Sequence, residues 1–507
     1  MKHQLDAVLI HPGNSHRIYQ ALANELSAIE PPVWASLMAS YLRTHGHSVT
    51  IIDADAESLT ATQVAERVSD LRPRLAVLVV YGHQPSASTQ NMGECGRIAT
   101  CLKQLAPTVP VLMAGGHVAA LPERTLNEEK TDYVSTGEGL TTAEDLLQAF
   151  KAGSPPDLSR VRGLGYRREG KVCFTPAAPL VTGLEESMPM QAWDLLDMSR
   201  YRAHNWHCFG ESSRQPYASI YTSLGCPYHC SFCCIQAPFK SGEQALGMKT
   251  GVNSYRSWSP AKVVDQLEHL ATTYGVRNVK FADEMFVLHR QQVLGICDEI
   301  LRRGLSFNIW AYARVDTIKE DMLEKLQSAG FRWLALGIES GSQRVRKAVG
   351  KGISPERLTT TVDMVQKAGI HIIANYIFGL PEDDFQSMQE TLDLSLALNC
   401  AFANFYSSMA YPGSALYQEA LREGLPLPTT WEGFSQHAID SLPLRTKYLS
   451  GPEVLAFRDD AFHRYYGDPH YLATLESRFG PEVRAQTEKM AATRLQRNYL
   501  PALKESP

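Results

Sequence analysis

No stretch of this 507-residue chain approaches the run of about 18 apolar residues that a membrane-spanning helix needs. The opening Met1 to Ile10 carries only a brief apolar run that stops at His11-Pro12, short of a signal-peptide core. Charge of neither sign dominates: 49 lysines and arginines are interspersed with 54 aspartates and glutamates, net -5, without the basic stripe of a nucleic-acid binder or the basic face of a membrane-surface helix. Cysteine is sparse at ten residues, and seven of these (Cys95, Cys101, Cys173, Cys208, Cys234, Cys297, Cys400) are scattered rather than set out as a disulfide framework. The expectation is a cytoplasmic protein whose partners are small molecules, with neither nucleic acid nor membrane among them. A hydrophobic content of 44% suffices for ordinary packed cores, and the length divides into two to four domains.

What is present is concentrated in one segment. Cys226, Cys230 and Cys233 form a C-x3-C-x2-C run on one short loop. Three thiolates so spaced can hold three irons of a 4Fe–4S cube and leave the fourth iron open to a reactant. A structural zinc is the competing reading, with His229, inside the loop, as the fourth ligand it would require. Cys234 adjoins the run but is surplus to the spacing, and is read as a bystander.

Residues 1–150 alternate short β-rich runs (near 5–10, 48–53, 74–81, 109–114 and 132–135) with amphipathic segments, the pattern of a doubly wound α/β sheet. Glycine or polar residues gather at the ends of these runs: His11 to Asn14, Asp53 to Asp55, Tyr81 to His83, Gly115 to His117, Gly137 to Gly139. Open parallel sheets bind ligands along that edge, so one broad ligand is expected there, with simple turns as the alternative. Residues 151–210 are polar, carry prolines and a hairpin around Gly163–Tyr166 and Val172–Phe174, and read as a connector. From 211 to 425 six strands (near 217–223, 277–282, 306–312, 332–338, 371–377 and 402–408) alternate with five helices. Ser259-Pro260 and Ser354-Pro355 start two of those helices, and Gly275, Gly330 and Gly369 follow the ends of three. Repeated βα units build a parallel barrel or part of one, with reactive groups at the strands' C-terminal ends. The cysteine loop follows the first strand, on that face. The remainder, 426–507, reads as a helical, aromatic-rich segment packed over the barrel's open side.

These features together resemble the cobalamin-dependent radical SAM enzymes, over about 1–425. The barrel half carries the cysteine loop with Phe232 before its last ligand, Tyr255-Arg-Ser-Trp-Ser-Pro260, Phe281-Ala-Asp-Glu-Met-Phe286, Ala313-Arg-Val-Asp316, Gly337-Ile-Glu-Ser-Gly341, Asn375-Tyr-Ile-Phe-Gly-Leu-Pro-Glu382 and Tyr411-Pro-Gly413. The front half carries Glu30-Pro-Pro-Val33, Leu42-Arg-Thr-His-Gly46, Gly115-Gly-His117 and Gly137-Glu-Gly139. The resemblance implies a flavodoxin- or Rossmann-like cobalamin domain, then a partial (β/α)6 TIM-like radical SAM barrel of methyltransferase type. It implies a 4Fe–4S cluster on Cys226, Cys230 and Cys233, S-adenosylmethionine (SAM) and cobalamin in its methyl form, with a flavodoxin- or ferredoxin-type protein as external one-electron reductant. For SAM it points to Phe232, Asp283, Glu284, Arg314, Glu339, Ser340, Asn375, Ile377 and Gly379. Acidic groups would suit the amine and ribose, Arg314 the carboxylate, and the backbone at Ile377 and Gly379 the adenine. For cobalamin it points to Gly82, His83, Ser88, Thr89, Gly115, Gly116, His117, Gly137, Glu138 and Gly139.

One motif is missing. Cobalamin proteins that supply a histidine lower ligand carry Asp-x-His-x-x-Gly after the first strand, where this chain reads His11-Pro-Gly-Asn-Ser-His16. The cofactor's lower face is therefore expected against the loop from Gly82 to Gln90, with a water or loop side chain beneath the cobalt and His83 or His117 as possible ligands. The function implied is methyl transfer to an unactivated carbon, or to phosphorus, of a biosynthetic intermediate through a 5'-deoxyadenosyl radical. Alternatives are a cyclisation or rearrangement with the same cofactors, or a sensor without turnover. A methylthiotransferase is disfavoured because the front half lacks a second three-cysteine set.

Overall fold

The computed structural model describes residues 4–13, 18, 20, 27–211 and 213–500; Asn14, Ser15 and His16 of the first-strand motif lie outside them. Five parallel strands open the chain: β1 (Ala7–His11), β2 (Val49–Asp53), β3 (Leu75–Val79), β4 (Val111–Ala114) and β5 (Tyr133–Ser135). The hairpin of the expected connector, β6 (Leu164–Arg168) and β7 (Lys171–Phe174), adds to β5 antiparallel and completes a seven-stranded sheet ordered β2-β1-β3-β4-β5-β6-β7. Strands β1 and β3 are apolar on both faces because both faces are covered. Ala7 and Leu9 enter one core with Leu75, Val77 and Val79, while Val8 and Ile10 enter another with Ala76 and Leu78. The chain leaves β1 toward β2 on one side and runs from β3 to β4 on the other, so the ligand-binding switch point lies between β1 and β3.

A second sheet, ordered β15-β14-β13-β12-β11-β8, is parallel throughout and open: β8 (Tyr217–Ile220), β11 (Asn278–Phe281), β12 (Asn308–Arg314), β13 (Phe331–Glu339), β14 (His371–Phe378) and β15 (Phe402–Ser407). Between β8 and β11 a small antiparallel pair, β9 (Ser223–Leu224) and β10 (Arg256–Ser257), pins the start of the cysteine loop. The helix Pro260–Tyr274 starts on Ser259, whose hydroxyl accepts from the Lys262 N–H, and ends at Gly275 with φ +69°. Its buried stripe of Val263, Val264, Leu267, Leu270 and Ala271 covers the sheet.

The open edge at β15 is closed from outside. Tyr465, Tyr466 and Tyr471, from the helices Gly451–Tyr466 and Pro469–Phe479, donate to the carbonyls of Cys400 (2.7 Å), Ala403 (2.6 Å) and Ala401 (3.1 Å), and Arg458 donates to Phe405 (2.7 Å). Ala403 and Phe405 belong to β15, and their carbonyls would otherwise be unpaired acceptors on an exposed strand edge; Cys400 and Ala401 lead directly into it. The aromatic tail thus covers the open side that its composition suggested.

The two sheets share a core. The helix Val33–Thr44, buried from Val33 through Leu42, belongs to the same apolar cluster as the barrel strands, so the C-terminal edges of both sheets face one another across a packed seam.

Candidate active site

The cysteine loop is held by groups that the spacing alone did not assign. The Asp283 carboxylate, fully buried after β11, accepts from the Thr222 N–H (3.1 and 3.2 Å), the Thr222 hydroxyl (2.7 Å) and the Ser223 hydroxyl. Burial raises its pKa against those bonds. Gly225 turns the chain with φ +94°, and a Cβ there would stand 2.3 Å from the Ser254 carbonyl oxygen. Asn253 donates to the carbonyls of Cys226 (3.0 Å) and Tyr228 (2.8 Å). Asp283 therefore clamps the loop, where a contact to the SAM amine or ribose was expected.

Burial pushes the thiol of Cys226 up to about 11 and raises that of Cys233 well above the usual thiol range, so these sulfurs ionise only against a compensating positive charge. One cation is built in: Arg314 Nη1 donates to Cys230 Sγ at 3.7 Å, and the guanidinium stacks over Tyr228 at 3.9 Å. A cationic donor on a cysteine sulfur fits an anionic thiolate cluster. Among the described residues no three His, Cys, Asp or Glu side chains are gathered as a single bound ion requires.

Beyond the loop, the strand ends present the remaining expected residues in different states. The Arg314 fork is engaged by Asp316 (Nε to Oδ1 and Nη2 to Oδ2, both 3.0 Å), so the residue expected at the SAM carboxylate already holds one. Glu339 sits at φ +67°, at a register shift between β13 and β14, and pairs with Lys351. Gly337 leaves room for that pair, since a Cβ there would meet Lys351 Nζ at 2.4 Å. A glutamate in the left-handed region is strained by about 1 kcal/mol, and such strain collects at functional sites. Ser340 is buried, bonded to the Thr391 hydroxyl at 3.1 Å. Gly379 has φ +80° and gives its N–H to Asp383 (3.0 Å), and its missing side chain leaves space for Val454. Burial raises Glu284 to about 8. Its carboxylate accepts from the Tyr221 hydroxyl at 3.3 Å, in a crevice shared with Gly82, Ser88, Gly116 and Cys234.

On the first sheet, Gly82 to Gln90 forms a turn that runs into the short helix Ala87–Gln90. A Cβ on Gly82 would lie 2.2 Å from that of Ala87, Ser88 donates back to the Val80 carbonyl, and the His117 N–H donates to Ser88 Oγ at 2.9 Å. Gly115 passes under the Val80 carbonyl, 2.1 Å from where a Cβ would be. His117 is buried, bonded through Nδ1 to Thr89 Oγ1 (3.2 Å) and packed edge-on against Trp431 at 4.4 Å, so its ring is a structural element. His83 instead faces the space between the domains, and burial lowers its pKa to about 4, which leaves a neutral imidazole. Glu138 is turned away from that space: its carboxylate meets Arg256 of β10 at 2.6 and 3.2 Å and the Val181 N–H at 3.0 Å, a bridge from the first sheet to the β9–β10 pair that holds the start of the cysteine loop. Gly137 lies beside Ser241 of the barrel half, and Gly139, at φ +88°, precedes the helix Leu140–Ala152.

A cavity of about 350 Å³ lies between the sheets. Phe232, Cys233, Asn375 and Ile377 line it from the barrel, and His83 to Ser86 and Gln90 from the turn after β3. Its walls also include Lys280, Trp206, Asn404 and Tyr406, which sequence reasoning passed over, and Glu30, which entered only as the start of the Glu30-Pro-Pro-Val33 motif and not as a site residue. Lys280 had a signal, a charged residue set between Val279 and Phe281 in a strand with no other charge. Glu30 had only its place before Pro31-Pro32.

Residues 19–147 match the B12 binding domain family and residues 220–395 the Radical SAM superfamily. The chain is 28% identical over 453 residues to an uncharacterized methyltransferase of Pyrococcus horikoshii, covering 89% of this chain and 91% of that one. It is 27% identical over 418 residues to the anaerobic magnesium-protoporphyrin IX monomethyl ester cyclase of Rubrivivax gelatinosus, covering 81% and 69%. Among solved structures, the radical S-adenosylmethionine methyltransferase TsrM of Kitasatospora setae superimposes with a TM-score of 0.66 at 17% identity, over 96% of this chain and 99% of that one. Fold and site thus define a radical SAM barrel joined behind a B12-binding domain. The chain is a cobalamin-dependent radical SAM enzyme, and its cofactors are a 4Fe–4S cluster, SAM and cobalamin. No helix among the described residues is long and apolar enough to cross a membrane.

Proposed function

We propose that this enzyme is a C-methyltransferase acting on a small-molecule intermediate of natural-product biosynthesis, supplied with electrons by an external flavodoxin- or ferredoxin-type reductant. When bound, the cluster and SAM supply a one-electron cleavage that yields a carbon radical, and cobalamin supplies a methyl group. The observation that carries the reading is the shared cavity. Phe232 and Cys233 of the cysteine loop and His83 to Ser86 of the turn after β3 line the same space, so a substrate there meets both cofactor-bearing loops. The chain's own residues shape and seal it. Trp206 packs among Trp310, Trp333 and Phe402 at 5.3–5.7 Å and closes the barrel floor against water. Phe232 and Ile377 form an apolar shoulder against Val345, Val349 and Leu380, and Arg314 holds Cys230.

The test is anaerobic reconstitution with iron, sulfide and cobalamin, followed by SAM carrying a deuterated methyl group and a small-molecule extract of the producing cells. Deoxyadenosine and S-adenosylhomocysteine formed together, with label in a new product, are expected. Deoxyadenosine without S-adenosylhomocysteine or label overturns methyl transfer in favour of a cyclisation or rearrangement, the reading that the likeness to the Rubrivivax cyclase favours.

A further inference from the structure

One buried ion pair crosses the seam between the two domains. Lys280 stands on β11 with its side chain inside the barrel, 1% exposed, above the rings of Trp310 (4.9 Å) and Tyr312 (5.9 Å). Its Nζ reaches Glu30 Oε1 (3.1 Å), Glu30 Oε2 (3.0 Å) and the His83 carbonyl oxygen (2.8 Å). An ammonium has three donors, and all three are engaged, both partners coming from the B12-binding domain. Glu30 is 5% exposed and also accepts from Ser219 Oγ of β8 at 2.8 Å, with His204 Nε2 3.8 Å away. Lys280 and its neighbours hold this carboxylate well below the usual carboxylate range against the cost of burial.

Stability is a poor reason for such a pair. An apolar pair of equal volume usually serves a core as well or better, while a buried pair with directional bonds specifies one geometry. Here the geometry specified is the position of the turn after β3. That turn is internally stiff, through the close packing of Gly82 on Ala87 and the bonds of Ser88 to Val80 and His117, so fixing the His83 carbonyl fixes the whole turn. It occupies the switch point where the B12-binding domain takes its ligand. On the other side, β11 runs directly into Asp283, the clamp on the cysteine loop. Lys280 thus sits three residues from the anchor of one cofactor loop and bonds the backbone of the other.

We infer that Lys280 is a positioning residue: through Glu30 and the His83 carbonyl it locks the cobalamin-side turn to the radical SAM barrel and sets the placement of the two cofactors relative to each other. The inference rests on the methyl-transfer reading only for its functional consequence, since the placement is measurable without substrate. A misplacement of about 1 Å lowers transfer rates by about 100-fold, so uncoupling is the expected penalty.

The experiment uses the full-length enzyme loaded with cluster and cobalamin, as wild type, Lys280→Met, Lys280→Arg and the double variant Lys280→Met/Glu30→Gln, which leaves no unpaired buried charge. With the cluster reduced and cobalamin in its Co(II) form, pulsed EPR reads the relaxation of the cobalt signal by the cluster, a direct measure of their separation and its spread. Wild type should show one narrow distribution. Both Lys280→Met variants should load both cofactors normally and show a broadened or shifted one, and Lys280→Arg should restore most of the wild-type value. The ratio of labelled product to deoxyadenosine should fall at least about tenfold in parallel. A wild-type distribution in both Met variants overturns the inference, as does failure of both to load cobalamin, which would make the pair part of the cobalamin site itself. A wild-type enzyme that never yields labelled product defeats the methyl-transfer reading and leaves the EPR comparison standing.

Discussion

Replacing Asp283 separates two roles that one carboxylate could have in this barrel. Its oxygens accept from one backbone N–H and two hydroxyls, all belonging to the strand end that leads into Cys226. In Asp283→Ala the Thr222 N–H cannot turn toward another acceptor, which costs about 1–3 kcal/mol, and the Thr222 and Ser223 hydroxyls each lose a charge-assisted bond of roughly 1 kcal/mol net. The sum, about 3–5 kcal/mol, raises the population of a loosened cysteine loop by roughly 10²- to 10⁴-fold. Asp283→Asn keeps an acceptor where both hydroxyls and the N–H converge, so it should cost about 1–2 kcal/mol. The assay is iron and sulfide content with the cluster's visible absorption after anaerobic reconstitution, beside SAM affinity measured on the loaded protein. The Ala variant should lose most of its cluster, and the Asn variant should keep it with SAM affinity within a factor of about three. An Ala variant with a full cluster would refute the clamp. An Asn variant with a full cluster and SAM binding weakened by more than about tenfold would put Asp283 on SAM instead.

Substituting Cys226, Cys230 or Cys233 by Ala should abolish the cluster and all SAM cleavage, whereas Cys234→Ala, at a buried position beside the run, should retain both by iron analysis and deoxyadenosine yield. Glu129 offers a pH test. Burial, with Glu128 and Glu432 nearby, raises it to about 7. A carboxyl whose folded pKa is raised adds stability that is full below about pH 4.5 and is lost as pH climbs through 7. Glu129→Gln should therefore match wild type near pH 4.5 and exceed it at pH 8.5 by about 1–2 kcal/mol, the full shift being discounted for partial exposure, in denaturant midpoints at the two pH values. Equal midpoints at both would show that the carboxyl is not held protonated.

Much of this architecture was legible because it is written in local signals. Helix starts at Ser259-Pro260 and Ser354-Pro355, stops at Gly275, Gly330 and Gly369, and the apolar runs of β1 and β3 each depend on neighbours a few residues away. The cysteine run needs no tertiary context to suggest three irons. The roles of the charged residues near it were not legible to the same degree. Asp283 and Arg314 were expected around SAM. They stand beside Thr222 and Cys230 because β8, β11 and β12 are neighbours in one sheet, with Phe281 paired to Ile220 and to Ala311. Glu138 was expected at cobalamin, but its partner Arg256 lies 118 residues further along the chain. The tyrosines of the C-terminal helices read as packing aromatics, and only the open edge of β15 and the residues that lead into it give their hydroxyls carbonyls to cap.

The sequence by itself determined the iron cube, from three cysteines at fixed spacing, and a doubly wound half ahead of a βα repeat, since ligand spacing and strand periodicity are properties of short segments; SAM and cobalamin came from the resemblance that the motifs at the strand ends carry. Tertiary structure alone decided how the two halves meet. Lys280 finds Glu30 at a separation of 250 residues, and the turn after β3 lies against the barrel interior because a buried ammonium must place all three of its donors.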